Sequence, residues 1–170
     1  MPTGLKQTSS LVAIGARVVE TAANTYTQTQ VDLNLSPLDR EVFVVLAINI
    51  DPQEPDAVDG ITTATAASVS ATSQTAVIGL ENSNVLANTR LGIQCAGLGI
   101  SGVGFTRGAG ETQATNLDYL GIIATNDFFL GMKGTGNLTA KFTNAKIYGY
   151  RARATADIFA ALVQSEVLSA

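Results

Sequence analysis

The chain has no histidine and no tryptophan, and its 170 residues include a single cysteine, Cys95. Without histidine, Ser-His-Asp and Cys-His nucleophilic arrangements, HExxH zinc sites and imidazole proton relays are all impossible. One thiol cannot form an internal disulfide, and a chain without a second thiol or any imidazole cannot form a Cys/His zinc site. We therefore predict no catalytic, cofactor-binding or metal-binding residues, and expect Cys95 to be a small buried apolar side chain.

Charge is scarce as well. Asp, Glu, Lys and Arg make up 14% of the residues, against about 25% in an average soluble domain, and the mean hydropathy is +0.24. This composition predicts that other copies of the chain cover much of its outer surface in a large homo-oligomer. The net charge of −4 and the pI near 4.6 attract neither phosphate nor an anionic membrane, so we expect no direct binding to nucleic acid.

Long apolar runs are absent too. The first twenty residues hold one apolar stretch, at 11–16, which is shorter than the core of a signal peptide and far shorter than a transmembrane segment. We therefore expect a protein made in the cytoplasm without a signal peptide. Residues 1–16 are predicted to form a flexible arm, and Lys6 is its one basic residue. Such an arm lacks the basic cluster needed to neutralise the phosphates of a nucleic acid.

Alternating apolar side chains are what the sequence does contain. Residues 26–35 alternate as a half-buried strand, and residues 41–50 are apolar on both sides, which predicts a central strand covered on both faces. In that strand we expect one face to carry Val42, Val44, Leu46, Ile48 and Ile50, and the other Phe43, Val45 and Ala47. Further strands are predicted within residues 61–80, 90–96, 118–124, 128–132, 138–142 and 145–153. About eight short antiparallel strands over residues 17–154 predict an all-β jelly-roll sandwich as a single domain.

The last residues, 155–170, differ in composition and predict a short amphipathic helix. Thr155 is a plausible N-cap and Asp157 lies in the first turn. The helical spacing places four apolar residues on one stripe: Ile158, Phe159, Leu162 and Val163. That stripe must be buried either on the chain's own sandwich or on a neighbouring subunit.

Two groups of residues could carry chemistry. Glu111, Asp118 and Asp127 lie in one region, and paired carboxylates serve glycoside hydrolysis; without an aromatic platform beside them, we interpret them as surface residues. Residues Gly97, Gly99 and 102 match GxGxxG, but the continuation lacks the helix formers of a dinucleotide site. We expect these glycines to allow bulges and close backbone contacts.

Two further groups could bind ligands. The acidic loop 51–60, with Asp51, Glu54, Asp56 and Asp59, could hold calcium or meet Arg151 and Arg153, although solvated side chains are the preferred interpretation. On the last strand, Tyr148 and Tyr150 alternate with those two arginines, a pattern that could clamp single-stranded nucleic acid. We interpret the tyrosines as core or interface anchors.

The organisation of the whole chain resembles that of small single-jelly-roll coat proteins of tailless icosahedral viruses. The resemblance is carried by the polar arm MPTGLKQTSS, the two-faced strand EVFVVLAINI, the segment ITTATAASVSATSQT and the tail TADIFAALVQSEVLSA. It implies a structural capsid protein located in the virion, with eight strands in two sheets, copies that tile a shell, and termini that reach neighbouring subunits. Other capsid proteins or an internal membrane are possible further contacts.

Two other classes of protein fit the same strand pattern. A recognition module that binds a host surface or a carbohydrate would use the loops 51–60, 81–89 and 106–116. An enzyme would depend only on the carboxylates named above. The state of association separates these hypotheses, because a shell requires large homo-oligomers whereas a recognition module does not.

Overall fold

The computed structural model describes residues 3–95, 97, 103–107 and 117–168. Within them lie ten strands and one C-terminal helix: β1 Leu5–Gln7, β2 Val12–Val19, β3 Thr27–Asp32, β4 Glu41–Pro52, β5 Thr63–Ser70, β6 Val85–Gln94, β7 Val103–Arg107, β8 Gly121–Ile123, β9 Asp127–Thr135, β10 Phe142–Ala154 and α1 Ala156–Leu168. All strand pairs are antiparallel. The prediction of an all-β sandwich with a short C-terminal helix is confirmed.

The strands form two five-stranded sheets with jelly-roll connections. Sheet I has the order β1-β10-β4-β8, with β2 also on β10, and sheet II has the order β3-β9-β5-β6-β7. Because β1 and β2 pair with successive parts of β10, they act as one interrupted strand. With β7 set aside as an extra edge strand, four strands remain in each sheet, and each sheet alternates early and late strands as the two Greek keys of a jelly roll do.

The core lies between the two sheets, and a second apolar cluster lies on the outer face of sheet I. Phe43, Ile48, Phe128 and Leu130 are among the fully buried residues of the core. On the other face of β4, Val42 and Val44 are covered by the stripe of α1, which consists of Ile158, Phe159, Leu162 and Val163. The expectation that β4 is covered on both faces is confirmed, and the helix buries its stripe on its own sandwich.

A β-bulge in β4 corrects the predicted division of its faces. Tyr148 pairs with Ala47 whereas Gly149 pairs with Val45, so Leu46 is the extra residue. An extra residue shifts the two-residue alternation by one. Ile48 and Ile50 therefore join Phe43 and Val45 in the core, instead of sharing a face with Val42 and Val44. A Cβ at Gly149 would overlap the Val44 carbonyl oxygen and the Phe43 ring, so glycine permits this approach.

Several strand boundaries also differ from the sequence prediction. Part of the predicted arm is hydrogen-bonded, because β1 and the first half of β2 pair with β10. The strand predicted at 145–153 is confirmed as part of the longer strand β10, whereas residues 138–141 of the strand predicted at 138–142 form a turn. In the segment 61–80, only β5 is extended, and the following loop runs to β6. Local alternation cannot reveal these pairings, since each depends on a strand distant in sequence.

The helix begins where predicted. The Phe159 amide donates to the Thr155 carbonyl oxygen at 2.9 Å, which opens the first turn just before Ala156. In the part of the chain that the structure describes, no helix has both the length and the apolar character required to cross a bilayer.

Candidate functional site

A buried acid lies at each end of the sandwich. We call the end with loops 33–40 and 71–84 and the turn 124–126 the Glu166 end, and the end with loops 20–26, 53–62 and 136–141 the Glu20 end. Glu166 is 6% exposed and Glu20 is 4% exposed. Because buried carboxylates need hydrogen-bond donors, these two residues indicate where the loops are fixed to the sheets.

Glu166 fixes the last turns of α1 to the sandwich. Its carboxylate accepts hydrogen bonds from the amides of Ala124 at 2.7 Å and Thr125 at 3.0 Å. The Asn84 side chain donates to the Glu166 carbonyl oxygen at 3.1 Å and to Thr72 Oγ1 at 3.0 Å. The helix is therefore held by polar contacts at its end as well as by its apolar stripe.

Burial raises the pKa of Glu166 above its ordinary value of 4.5. The amides of Ala124 and Thr125 act in the opposite direction because they favour the carboxylate, while the negative charge of Asp127 adds to the rise. Between pH 4.5 and the raised pKa, the unfolded chain releases this proton and the folded chain keeps it. The free energy of unfolding therefore falls as pH rises through that window.

We expect Glu166→Gln to remove this pH dependence. The amide side chain carries no charge to bury but keeps one acceptor oxygen for the two backbone amides, so below pH 4.5 the variant should be less stable than the wild type by an amount that does not change with pH. Above that value the variant should gain stability relative to the wild type. Urea unfolding of both proteins across this pH range measures the difference, and a difference that stays constant with pH would contradict the assignment.

At the Glu20 end, three loops meet around two acidic side chains, Glu20 and Asp56. The Glu20 carboxylate accepts from the amides of Gly134 at 2.6 Å and Lys141 at 2.9 Å. Lys141 is buried, and its Nζ lies 2.5 Å from Asp56 Oδ1. Asp56 also accepts from the Leu138 amide at 2.9 Å. These contacts place the loops 53–62 and 136–141 against the end of β2.

The ammonium of Lys141 holds the pKa of Asp56 below its ordinary value of 3.8, with help from the amides of Leu138 and Thr139. This contribution to stability is present above pH 3.8 and is lost as pH falls through the lowered pKa. Asp56 and Glu166 therefore act in separate pH windows and with opposite signs.

The acidic loop does not meet the arginines of the last strand. Asp56 pairs with Lys141, whereas Arg151 pairs with Glu41 at 3.4 Å and Arg153 with Asp39 at 3.0 Å. The predicted contact fails because β10 carries these arginines to the Glu166 end, away from the loop. Asp51, Glu54 and Asp59 are exposed. Among the described residues, no group of three or more acidic or thiol side chains is arranged to hold a metal ion.

The tyrosines and arginines of β10 point to opposite faces of sheet I. Tyr150 is buried in the cluster under α1, and burial, followed by the charge of Asp118, raises its pKa. Arg151 donates instead to the carbonyl oxygens of Leu33 at 2.7 Å and Asn34 at 3.1 Å. Since neighbouring strand residues alternate between faces, the four side chains form no common clamp for nucleic acid.

The predicted carboxylate group is not brought together in the described residues. Asp118 lies near Tyr150 on the outer side of sheet I, whereas Asp127 begins β9 in sheet II and accepts a hydrogen bond from Gln30. Glu111 lies outside the described residues. Gly99 and 102 also lie outside them, and the segment that follows Gly102 is the strand β7, where a dinucleotide site would need a helix.

Apolar side chains are exposed at the loop tips, which no sequence pattern predicted. Leu38 is 97% exposed, and Leu80 is also exposed at the same Glu166 end; Leu138 and Ile61 are exposed at the Glu20 end. Single leucines in polar loops carry no periodic signal, so no pattern could have identified them. Glu166 had a signal, since it lies three and four residues after Val163 and Leu162 on the helix stripe.

One open groove lies on the outer face of sheet II. It has a volume of about 550 Å³ and lies between the loop residues 77–81 and the strand residues Ala66, Asn88 and Arg90. It includes part of the loop region 81–89 that a recognition module would use.

No family model matches the chain, and no curated protein matches it. Among solved structures, a chain of desmodium yellow mottle tymovirus is similar with a TM-score of 0.30 and 16% identity, over 91% of this chain and 93% of that chain. A chain of turnip yellow mosaic virus has a TM-score of 0.28 and 13% identity, over 87% of this chain and 95% of that chain. These TM-scores are too low to assign a function to the chain.

Proposed function

We propose that this chain is a structural capsid protein that self-associates into the shell of a virion. The observation that carries the proposal is a jelly-roll sandwich with apolar side chains exposed at both of its ends. Jelly rolls are the fold of viral capsid and lectin domains, and burying the exposed apolar side chains at both ends against other copies would favour association.

The physical basis of association is the burial of this apolar surface. If each copy buries about 1,000 Å² of mostly apolar area on its neighbours, the gross gain is on the order of 25 kcal/mol before the losses of ordering and association. Most of that gain is cancelled in any single contact. Repetition over many contacts still stabilises a closed shell. In this proposal the chain has no catalytic role, holds no cofactor, makes no direct contact with nucleic acid and can contact other capsid proteins.

A recognition module is the second candidate, and the groove beside residues 77–81 favours it. The groove is open, and Arg90 and Glu81 at its wall could orient a polar ligand. The two functions differ in their state of association, since a recognition module works as a monomer or small oligomer.

We expect the purified chain to form large, regular particles in light scattering and negative-stain electron microscopy. Leu38→Asp should abolish them, because it places a charge on a fully exposed apolar loop tip, whereas Leu38→Met keeps the apolar contact and should preserve them. Both variants should fold, since Leu38 has almost no contact with the core. A wild-type chain that stays monomeric at high concentration would overturn the proposal.

A further inference from the structure

Strand β2 forms a free edge of sheet I. All eight of its residues pair with β10 on one side, and no other strand among the described residues pairs with the opposite side. A free edge exposes a row of backbone N–H and C=O groups that can pair with another chain. Of the side chains that face the core, Ile14 and Ala16 remain half-buried, so the described part of the chain leaves apolar area open along this edge.

The edge also lacks the usual features that prevent pairing between chains. Protected edges are short or carry proline, lysine or a bulge. Strand β2 contains no proline and no lysine, and its register with β10 is unbroken. Its one charge, Arg17, lies back over its own sheet, with the guanidinium carbon 4.2 Å from the centre of the Phe142 ring.

We infer that β2 pairs with β2 of a second copy in antiparallel fashion, about a two-fold axis at Gly15, which joins the two copies of sheet I into one continuous sheet. This inference rests on the proposed self-association and names the contact through which it begins. A two-fold axis uses the same surface on both copies, so β2 must be complementary to itself.

The register centred on Gly15 satisfies this condition. It places Leu11, which is 62% exposed, opposite Val19, which is 50% exposed, and it does so twice because of the two-fold axis. It also places each Arg17 opposite the small Ala13 of the other copy, so no like charges meet. On the core side it brings Val12 opposite Val18 and Ile14 opposite Ala16, which extends the apolar core across the contact.

Two neighbouring registers also keep core-facing residues opposite core-facing residues, but they form less favourable cross-strand pairs. Centring on Ala16 places Val12 opposite Glu20, whose carboxylate is already bound to the amides of Gly134 and Lys141. Centring on Ile14 places Leu11 opposite Arg17. A shift by one residue would mix the two faces of the sheet. The position of the apolar residues therefore selects Gly15 as the centre.

Cysteine cross-linking tests the register directly. In a Cys95→Ser background, Gly15→Cys should form a covalent dimer on mild oxidation, because the two Cα atoms would lie about 5 Å apart, within the range of a disulfide. A Cβ at Gly15 meets no atom within 4 Å, so this variant should fold. The matched variant Ala13→Cys should stay uncross-linked, since its two thiols would be about 14 Å apart along the strands. Equal cross-linking of both, or of neither, would overturn the inference.

Two charged substitutions of Ala13, one basic and one acidic, provide a second test that needs no cysteine. Ala13→Lys places a lysine opposite Arg17 of the other copy, twice per dimer, and should raise the dissociation constant about tenfold. Ala13→Glu places an acid there and should leave the dissociation constant unchanged or lower it. If both variants dimerise like the wild type while particles still form, the β2 contact is wrong and the proposed function stands. If the wild type forms neither dimers nor particles, both fail.

Discussion

A chain that ends at Ala154 is expected to lose most of its folding stability. The truncation removes α1, which covers the outer apolar face of sheet I, and exposes Val42, Val44 and Ala152, which are fully buried in the intact chain. At about 1.5–3 kcal/mol for each large apolar side chain returned to water, the two valines alone account for about 3–6 kcal/mol, which is a large part of the stability of a typical domain, about 5–15 kcal/mol. Thermal and urea unfolding of the truncated chain measure this loss.

Two point substitutions in the intact chain test whether the apolar stripe of α1 stabilises the subunit by packing on sheet I. Leu162→Asp places a charge in the apolar cluster under α1 and should lower the melting temperature by many degrees. Val167→Asp makes the same chemical change on the exposed side of the same helix and should have little effect on the subunit. Equal melting temperatures for the two variants would show that the helix is not docked as described.

The two faces of α1 are expected to have different roles. Because the stripe is buried on the chain's own sandwich, it is not available to a neighbouring subunit. The side that remains for contacts between subunits contains Val167 and Leu168. Val167→Asp is therefore expected to leave the fold intact, and particle formation by this variant would show whether the outer side of α1 takes part in the shell.

Alternation and composition made much of the fold predictable. The two apolar faces of residues 41–50 predicted a strand covered on both sides, and α1 together with sheet II now accounts for the two coverings. The helix and its stripe were also predictable, because the 3.6-residue period and the Thr155 cap are local signals. Each of these inferences depends on neighbouring residues only.

Features that depend on distant residues could not be predicted. The bulge at Leu46 lies opposite Gly149, a glycine distant in sequence that lets β10 approach the Val44 carbonyl oxygen. The pairing of β1 with the end of β10 is likewise not encoded in the polar residues near Lys6. At the candidate site, Lys141 finds Asp56 across 85 positions, and nothing in either local sequence identifies the partner.

Replacing Glu20 is expected to be the most damaging single substitution at the Glu20 end. Its carboxylate is the acceptor for the amides of Gly134 and Lys141, and its own amide donates to the Lys141 carbonyl oxygen at 2.9 Å. Glycine at 134 allows the acid to approach, since a Cβ there would lie 3.1 Å from both carboxylate oxygens. Glu20 therefore joins the end of β2 to strands of both sheets.

Glu20→Ala leaves both amides buried without an acceptor, and each unsatisfied amide costs about 1–3 kcal/mol. We expect a loss of about 4 kcal/mol in the free energy of unfolding, measured by urea denaturation. Glu20→Gln keeps one acceptor oxygen and should lose about half as much. Glu54→Ala, at an exposed acid of the adjoining loop, is the control and should change stability little. If Glu20→Ala were as stable as this control, the two amides would have other acceptors, and the loops at this end would not depend on the buried acid. A graded loss from alanine to glutamine would instead show that hydrogen bonding to the two amides, rather than side-chain volume, holds β2 to β9 and β10.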